Sequence, residues 1–393
     1  MTDADAVRAS RRGPAEPIPL TVLTGFLGAG KTTLLNRLLK DPALANTAVI
    51  INEFGEVSLD HLLVEHIGDN MVLLKSGCLC CTMRGDLVDA LERLLRDLDN
   101  GRVSFKRVLL ETTGLADPAP VLHTMMAHPY LLLRYRLNGV VTVVDAVNGE
   151  ATLNAHAEAV KQAAVADRIV LSKTDLATPA QRDGILARLK ALNPAAPVLD
   201  AAQGEASAAQ LLNAGLYDPE RRIPDVKRWL AAEAYADSLS HRHHHGHDHA
   251  HAHHGHDHAH DHDHLDRNRH DDHIGSFVIV SEQPMPAGTL EMFLELLRAS
   301  HGSNLLRVKG IVNVAEMPDT PVVVHGVQHV FHPTARLERW PDDDRRTRIV
   351  FITRDLSEGT VRELFDAFMG RVAPDRPDKA ALADNPLVPF GGR

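Results

Sequence analysis

The sequence predicts an α/β fold, a mostly parallel sheet covered by helices on both faces, followed by a smaller α+β domain. Three observations carry that prediction. From Ile18 onward, near-continuous Val/Ile/Leu runs alternate with helix-periodic segments, the pattern of strands buried on both faces. A glycine-rich turn ending in lysine and threonine joins the first apolar run to the first helical pattern. A histidine-rich stretch almost without large apolar side chains then separates two regions that each hold enough apolar residues for a core.

Residues 1–17 read as a flexible tail, with no apolar core that would make a secretory signal. PLTVLTG (19–25) is the first strand and KTTLLNRLLK (31–40) its helix. NTAVIIN (46–52), RVSFKRVLLE (102–111), NGVVTVVDA (138–146), DRIVLSK (167–173) and APVLDA (196–201) read as further strands, and MVLLKS (71–76) is strand-like. RGDLVDALERLLRDL (84–98), PAPVLHTMMA (118–127), EAVKQAA (158–164) and AQRDGILARLKAL (180–192) read as the intervening helices. This first domain is expected to span 18–222. The stretch 232–273 cannot bury a core and reads as a solvated, disordered linker. Order resumes at IGSFVIVS (274–281), and LLRVKGIVNVA, PVVVHGVQHVF and TRIVFITRD add strands to two helical segments. An antiparallel sheet in a domain over 274–373 is expected, with 374–393 as a second tail.

Composition excludes several functions. The formal charge of −10 is wrong for a nucleic-acid binder, which needs a basic surface. No stretch approaches the roughly 18 uninterrupted apolar residues of a membrane span. The three cysteines fall within Cys78–Cys81, too close for a disulfide framework, and point to a reducing cytoplasm.

Gly25-Phe-Leu-Gly28-Ala29-Gly30-Lys31-Thr32 satisfies G-x-x-x-x-G-K-[ST] between a strand and a helix, the phosphate-cradling P-loop. Backbone N–H groups from Gly25 through Thr33 converge on phosphates at a helix N-terminus. Lys31 reaches the terminal phosphates and the Thr32 hydroxyl holds Mg²⁺ in such loops. Glu111 ends a buried strand and is placed to bind Mg²⁺ through water, with Gly114 placed to sense a γ-phosphate through its N–H. Asp145, ending the next strand, is a weaker candidate for the same work. Ser172-Lys173-Thr174-Asp175 follows a further strand, where Asp175 can accept both guanine N–H groups and the Lys173 stem can lie along the base. Guanine motifs usually begin with asparagine; serine here leaves guanine favoured over adenine.

Metal chemistry is the second theme. Three thiols in Gly77-Cys78-Leu79-Cys80-Cys81 suit one soft or borderline ion such as Zn²⁺ or Cu(I), with a redox-active vicinal pair or plain small-residue packing as the alternatives. Three sulfurs leave one tetrahedral position open, for which Glu56 and His128 are candidates. Sixteen of the 25 histidines lie between His241 and His273, in H-x-H steps such as His243, His245, His247 and His249. Neutral imidazoles bind Zn²⁺, Co²⁺ and Ni²⁺ and release them on protonation, so the tract reads as a multi-ion binder, with a solvated spacer as the alternative. His325, His329 and His332 read as strand residues at the domain surface or interface.

TVLTGFLGAGKTTLLN, NEFGEVSLD, SGCLCC, ETTGLADPAPV and SKTDL, with LLRVKGIVNVAE and HGVQHVFHP later in the chain, resemble the CobW-type metallochaperone GTPases. The resemblance covers about residues 18–360. It implies a GTPase that couples GTP hydrolysis to delivery of a metal, zinc before cobalt or nickel, to a client protein or cofactor pathway. It places the metal motif at Cys78, Cys80 and Cys81, and it puts NEFGEVSLD at the first switch, where Asn52, Glu53 and Glu56 would respond to γ-phosphate. A metal- or nucleotide-dependent homodimer stays open. The rivals are a metal-storage protein with incidental nucleotide binding and a P-loop kinase or transferase.

Overall fold

The computed structural model describes residues 16–52, 73–76, 83–212 and 273–371. Its elements in the first domain are β1 (Ile18–Gly25), α1 (Lys31–Leu39), β2 (Thr47–Asn52), β3 (Leu73–Ser76), α2 (Met83–Asp99), β4 (Arg107–Glu111), α3 (Ala119–Ala127), α4 (Pro129–Arg134), β5 (Tyr135–Asp145), α5 (Gly149–Ala155), α6 (Ala157–Ala164), β6 (Arg168–Ser172), α7 (Pro179–Leu192), β7 (Val198–Asp200) and α8 (Ala208–Leu212). The seven strands form one sheet in the order β3-β2-β4-β1-β5-β6-β7. Every pairing in it is parallel.

The parallel sheet is buried on both sides, as its near-continuous apolar strands require. Leu87, Leu91 and Leu94 of α2 and Leu122, Met125 and Met126 of α3 pack with Leu20, Val22 and Ile50 of the sheet. Leu34, Leu35 and Leu38 of α1 and Leu211 of α8 pack with Leu23, Val49 and Leu109. Leu153, Ala163, Ile185 and Leu189 of α5–α7 cover Ile169 and Leu171. Thr178 and Gln181 start α7 with a reciprocal capping box, ahead of Pro179 at its first position.

The second domain runs β8 (Ile274–Ser281), α9 (Ala287–His301), β9 (Leu305–Val312), β10 (Val322–Val327), β11 (Val330–Phe331), β12 (Ala335–Arg336), β13 (Thr347–Arg354) and α10 (Glu358–Phe368). Its six-stranded sheet is ordered β11-β10-β9-β13-β8, with β12 paired to β10. The pairings are antiparallel, as expected. One face packs under α9 and α10 through Phe277, Phe293, Phe351 and Phe365, whose rings pair at centroid distances of 5.3 and 5.4 Å. The other face lies on the first domain, where Leu306 and Ile352 join the apolar cluster of α5–α7 and Val327 joins that of α2 and α3.

Two expectations change, and two short helices are added. PVVVHGVQHVF is not one strand: it turns back at Gln328, whose φ of 52° is left-handed, and Val327 pairs with Val330 across the hairpin. RVSFKRVLLE is a strand only from Arg107, because Arg102 and Val103 N–H groups bond the Asp97 carbonyl of α2 and Phe105 turns into the core. Helices α4 and α5 lack the length for a helical period to show in sequence.

Candidate nucleotide and metal site

The carboxyl ends of β1, β4, β5 and β6 meet at one edge of the sheet, where open α/β sheets bind ligands. Gly25 ends β1, and Phe26 to Ala29 make the turn, with the Ala29 N–H donating to the Phe26 carbonyl at 3.1 Å. Gly30 caps α1 in a left-handed conformation, φ 94°, that a β-carbon would strain. The α1 amides thus open onto this edge, ready for an anion. Buried Lys31 lies along the loop, its Nζ 3.3 Å from the Phe26 carbonyl, while Thr33 is exposed on α1.

The Thr32 hydroxyl donates to Glu111 Oε1 at 3.2 Å across 79 residues of sequence. Glu111 is only 5% exposed. A hydroxyl and a buried carboxylate meeting beside a phosphate loop form a hard oxygen donor set that fits Mg²⁺. Beyond Glu111 the chain passes against the P-loop. A β-carbon on Gly114 would come within 2.6 Å of Leu27 N and Cα, so only glycine lets this segment lie so close.

The base motif is tied to the same loop. The Ser172 hydroxyl donates to the Ala29 carbonyl at 2.6 Å and lies 3.2 Å from the Val144 carbonyl, so serine here fastens β6 to the P-loop. Lys173 takes a left-handed φ of 57° and donates to the Gly28 carbonyl at 2.8 Å and to Asp145 Oδ2 at 2.7 Å. Burial pushes the Asp145 carboxyl up, but Lys173, the Val147 and Asn148 N–H groups and the Asn148 amide outweigh it and hold it below the usual carboxylate range. Those partners make Asp145 the anchor of Lys173. Asp175 is exposed.

Sequence reasoning missed the loop after β7. Asp200 accepts from the Thr174 hydroxyl at 2.6 Å and from the Ala202 N–H at 2.9 Å. Arg37 of α1 holds the Ala201 and Ala206 carbonyls at 2.7 and 3.0 Å. A strand-end aspartate in VLDA was the available signal. Also missed was Phe26, whose ring stacks on His156 at 4.4 Å and 26°.

The metal candidates divide. Cys78, Cys80, Cys81 and Glu56 lie outside the described residues, as do Glu53 and the tract with His243, His245, His247 and His249. His128 is described: its Nδ1 accepts from the Leu131 N–H at 3.4 Å and so caps α4. No cluster of three or more His, Cys, Asp or Glu suited to a metal occurs among the described residues. His325 is buried in β10, and His329 sits in the hairpin with its ring 4.7 Å from that of His123 in α3. His332, past β11, is lowered in pKa by burial. His329 and His325, the latter close to Asp167, therefore belong to the domain interface. Among the described residues no helix is long and apolar enough to cross a membrane.

Comparison with known proteins agrees with this geometry. Residues 19–200 match the CobW/HypB/UreG nucleotide-binding domain, and residues 274–369 match the cobalamin synthesis protein cobW C-terminal domain. The chain is 33% identical over 350 residues to the zinc chaperone YjiA of Escherichia coli, covering 89% of this chain and 98% of that protein. It is 34% identical over 196 residues to the zinc-regulated GTPase metalloprotein activator 1 of Schizosaccharomyces pombe, covering 48% of this chain and 47% of that one. The crystal structure of Zn(II)-bound YjiA GTPase from E. coli superposes with a TM-score of 0.62 at 30% identity, over 90% of this chain and 99% of the other. The parallel-sheet domain with its P-loop and the appended antiparallel domain fall within the two matched ranges, and the chain belongs to the CobW/HypB/UreG family of P-loop GTPases.

Proposed function

We propose that this GTPase couples GTP hydrolysis to the binding and delivery of zinc to a client protein in the reducing cytoplasm, with cobalt or nickel as the alternative cargo. One observation carries the reading: Gly114 lies against the P-loop backbone, and the segment that follows it reaches the second domain. In this reading Gly25 to Thr33 cradle the phosphates, Lys31 neutralises the terminal ones, and Thr32 and Glu111 hold Mg²⁺, which would balance charge on the β- and γ-phosphates. Lys173 and Asp175 select guanine. A γ-phosphate arriving beside Gly114 displaces or orders the segment, a known kind of switch. Cys78, Cys80 and Cys81 supply the thiolates for the ion, and Glu56 or His128 completes or remodels its shell. The tract containing His243, His245, His247 and His249 keeps metal at high local concentration.

The zinc names of the relatives support the cargo, and the site's donor chemistry supports the nucleotide. The test measures Zn²⁺, Co²⁺ and Ni²⁺ affinity with GDP and with a non-hydrolysable GTP analogue, with and without residues 241–273. The expected shift between the two nucleotides is about 5- to 150-fold, the usual span of coupled sites. Cys80→Ala is expected to weaken stoichiometric metal binding and leave GTP binding intact. Identical affinities in both nucleotide states, with stoichiometry following the histidine tract alone, would show a storage protein instead.

A further inference from the structure

Gln162 lies in α6, is 1% exposed, and backs the cavity lined by Phe26, Gly28, Asp145 and Lys173. Its Nε2 donates to the Gly114 carbonyl at 3.2 Å and to the Ala116 carbonyl at 3.0 Å. Both neighbours are acceptors, so the amide must present its NH₂ group there. Its Oε1 is buried and accepts no hydrogen bond among the described residues. Leaving a buried acceptor unmatched is costly, so the side chain is held for its two donations. Its backbone is fixed as well, since the Gln162 carbonyl accepts from the Thr142 hydroxyl of β5 at 2.7 Å. The preceding residue, Lys161, grips the same segment through an ion pair with Asp117 at 2.8 Å.

We infer that Gln162 is a positioning residue for GTP hydrolysis: by holding the Gly114 and Ala116 carbonyls it sets the peptide planes of the segment that meets the γ-phosphate. A carbonyl pinned from behind fixes the plane of the peptide that follows it, and the Gly114–Ala116 turn then faces Leu27 in one orientation. Gln162 touches neither the nucleotide nor Mg²⁺ in this account. The inference rests on the proposed role of Gly114.

The test replaces Gln162 in the full-length protein by Met, which keeps length and loses both donors, and by Glu, which keeps shape and turns acceptors toward the carbonyls. Binding sites are counted by GDP titration, so that kcat and affinities are expressed per folded site. GDP affinity is expected to stay within about twofold, because GDP lacks the phosphate this segment meets. Affinity for a non-hydrolysable GTP analogue is expected to fall about tenfold, and kcat up to about a hundredfold, as for a displaced catalytic element. Wild-type kcat and analogue affinity per site in the Met variant, even with a lower Tm, would reduce Gln162 to a scaffold role and overturn the inference. If the Met variant binds no GDP, the Glu variant decides by the same criteria, and loss of GDP binding in both equally marks a scaffold. Lys31→Ala separates the two levels: wild-type hydrolysis in that variant would sink the phosphate-site reading itself, whereas a failure of the Gln162 variants alone leaves that reading standing.

Discussion

The second domain rests on the first at two places that differ in chemistry. At the amino end of β6, the Asp167 side chain is 6% exposed and receives Arg307 and Lys309 from β9, while Arg307 also reaches the Val165 carbonyl. Asp167 also accepts from the Val140 N–H at 2.8 Å. Burial alone would raise this carboxyl, but Arg307 and Lys309 hold it well below the usual range. At the other place, the β10–β11 hairpin meets α3 and the loop before it. There His123 Nε2 lies 2.9 Å from the Val327 carbonyl, Gln328 donates to Asp117 at 3.3 Å, and the His123 and His329 rings meet edge-on. The first contact concentrates charge at the sheet edge opposite the P-loop. The second is a set of single hydrogen bonds on the segment that follows Gly114. The difference suggests a fixed anchor and a yielding sensor: a contact meant to respond to nucleotide must be breakable at the scale of a few kcal/mol that a ligand can supply.

Breaking the anchor should have the largest effect. Asp167→Asn leaves two buried cations without their carboxylate and is expected to lower unfolding free energy by about 3–5 kcal/mol, read by denaturant titration. A loss below about 1 kcal/mol would erase the contrast between the two contacts. The anchor should also respond to acid. Burial, with Lys309 and Arg307 beside it, lowers the His325 pKa well below its ordinary 6.5, so the folded protein keeps this ring neutral. The unfolded chain binds that proton below pH 6.5 and the folded chain does not; stability is therefore present above 6.5 and lost as pH falls. In chelator-treated protein, Tm is expected to drop between pH 7 and 5, and His325→Gln should flatten the slope. The Asp167 carboxyl acts in the same direction at lower pH, since its stabilising charge is lost only as pH falls below 3.8 toward its depressed folded value.

The sensor side predicts smaller stability changes and larger nucleotide effects. His123→Leu removes one buried hydrogen bond and is expected to cost about 1–3 kcal/mol, while abolishing any difference in amide exchange of β10 and β11 between GDP and GTP-analogue states. Preserved nucleotide dependence in that variant would show that the hairpin does not follow the switch. Gln328→Asn keeps a residue tolerant of the left-handed turn but cannot reach Asp117; about 0.5 kcal/mol is expected, with the same direction in exchange.

Much of the site was legible in order along the chain. The P-loop, Glu111, Gly114 and the SKTD segment could be read because each needs a fixed residue type beside a strand end. Their meeting follows from the parallel sheet, which brings all the carboxyl ends to one edge. The serine at 172 could be seen as a departure, but its bond to the Ala29 carbonyl could not, because that contact spans 143 residues. The Asp145–Lys173 bond was hidden in the same way: a strand-end carboxylate looks alike in sequence whatever partner it meets. The hairpin at Gln328 escaped notice since its turn lacks glycine, proline or asparagine.

The sequence by itself determined the two sheets, their strand types and the phosphate loop, since periodicity and glycine placement are local and physical rules read them directly. Only the tertiary structure decided which charged residues are buried. Arg307 and Lys309 alternate in β9 with Val308 as if facing solvent, yet the first domain covers that face and supplies Asp167. It likewise decided that Gln162, one polar residue in a short helix, faces the carbonyls of the Gly114 segment. Burial and partnership across domains depend on surfaces made by distant parts of the chain, and no local pattern encodes them.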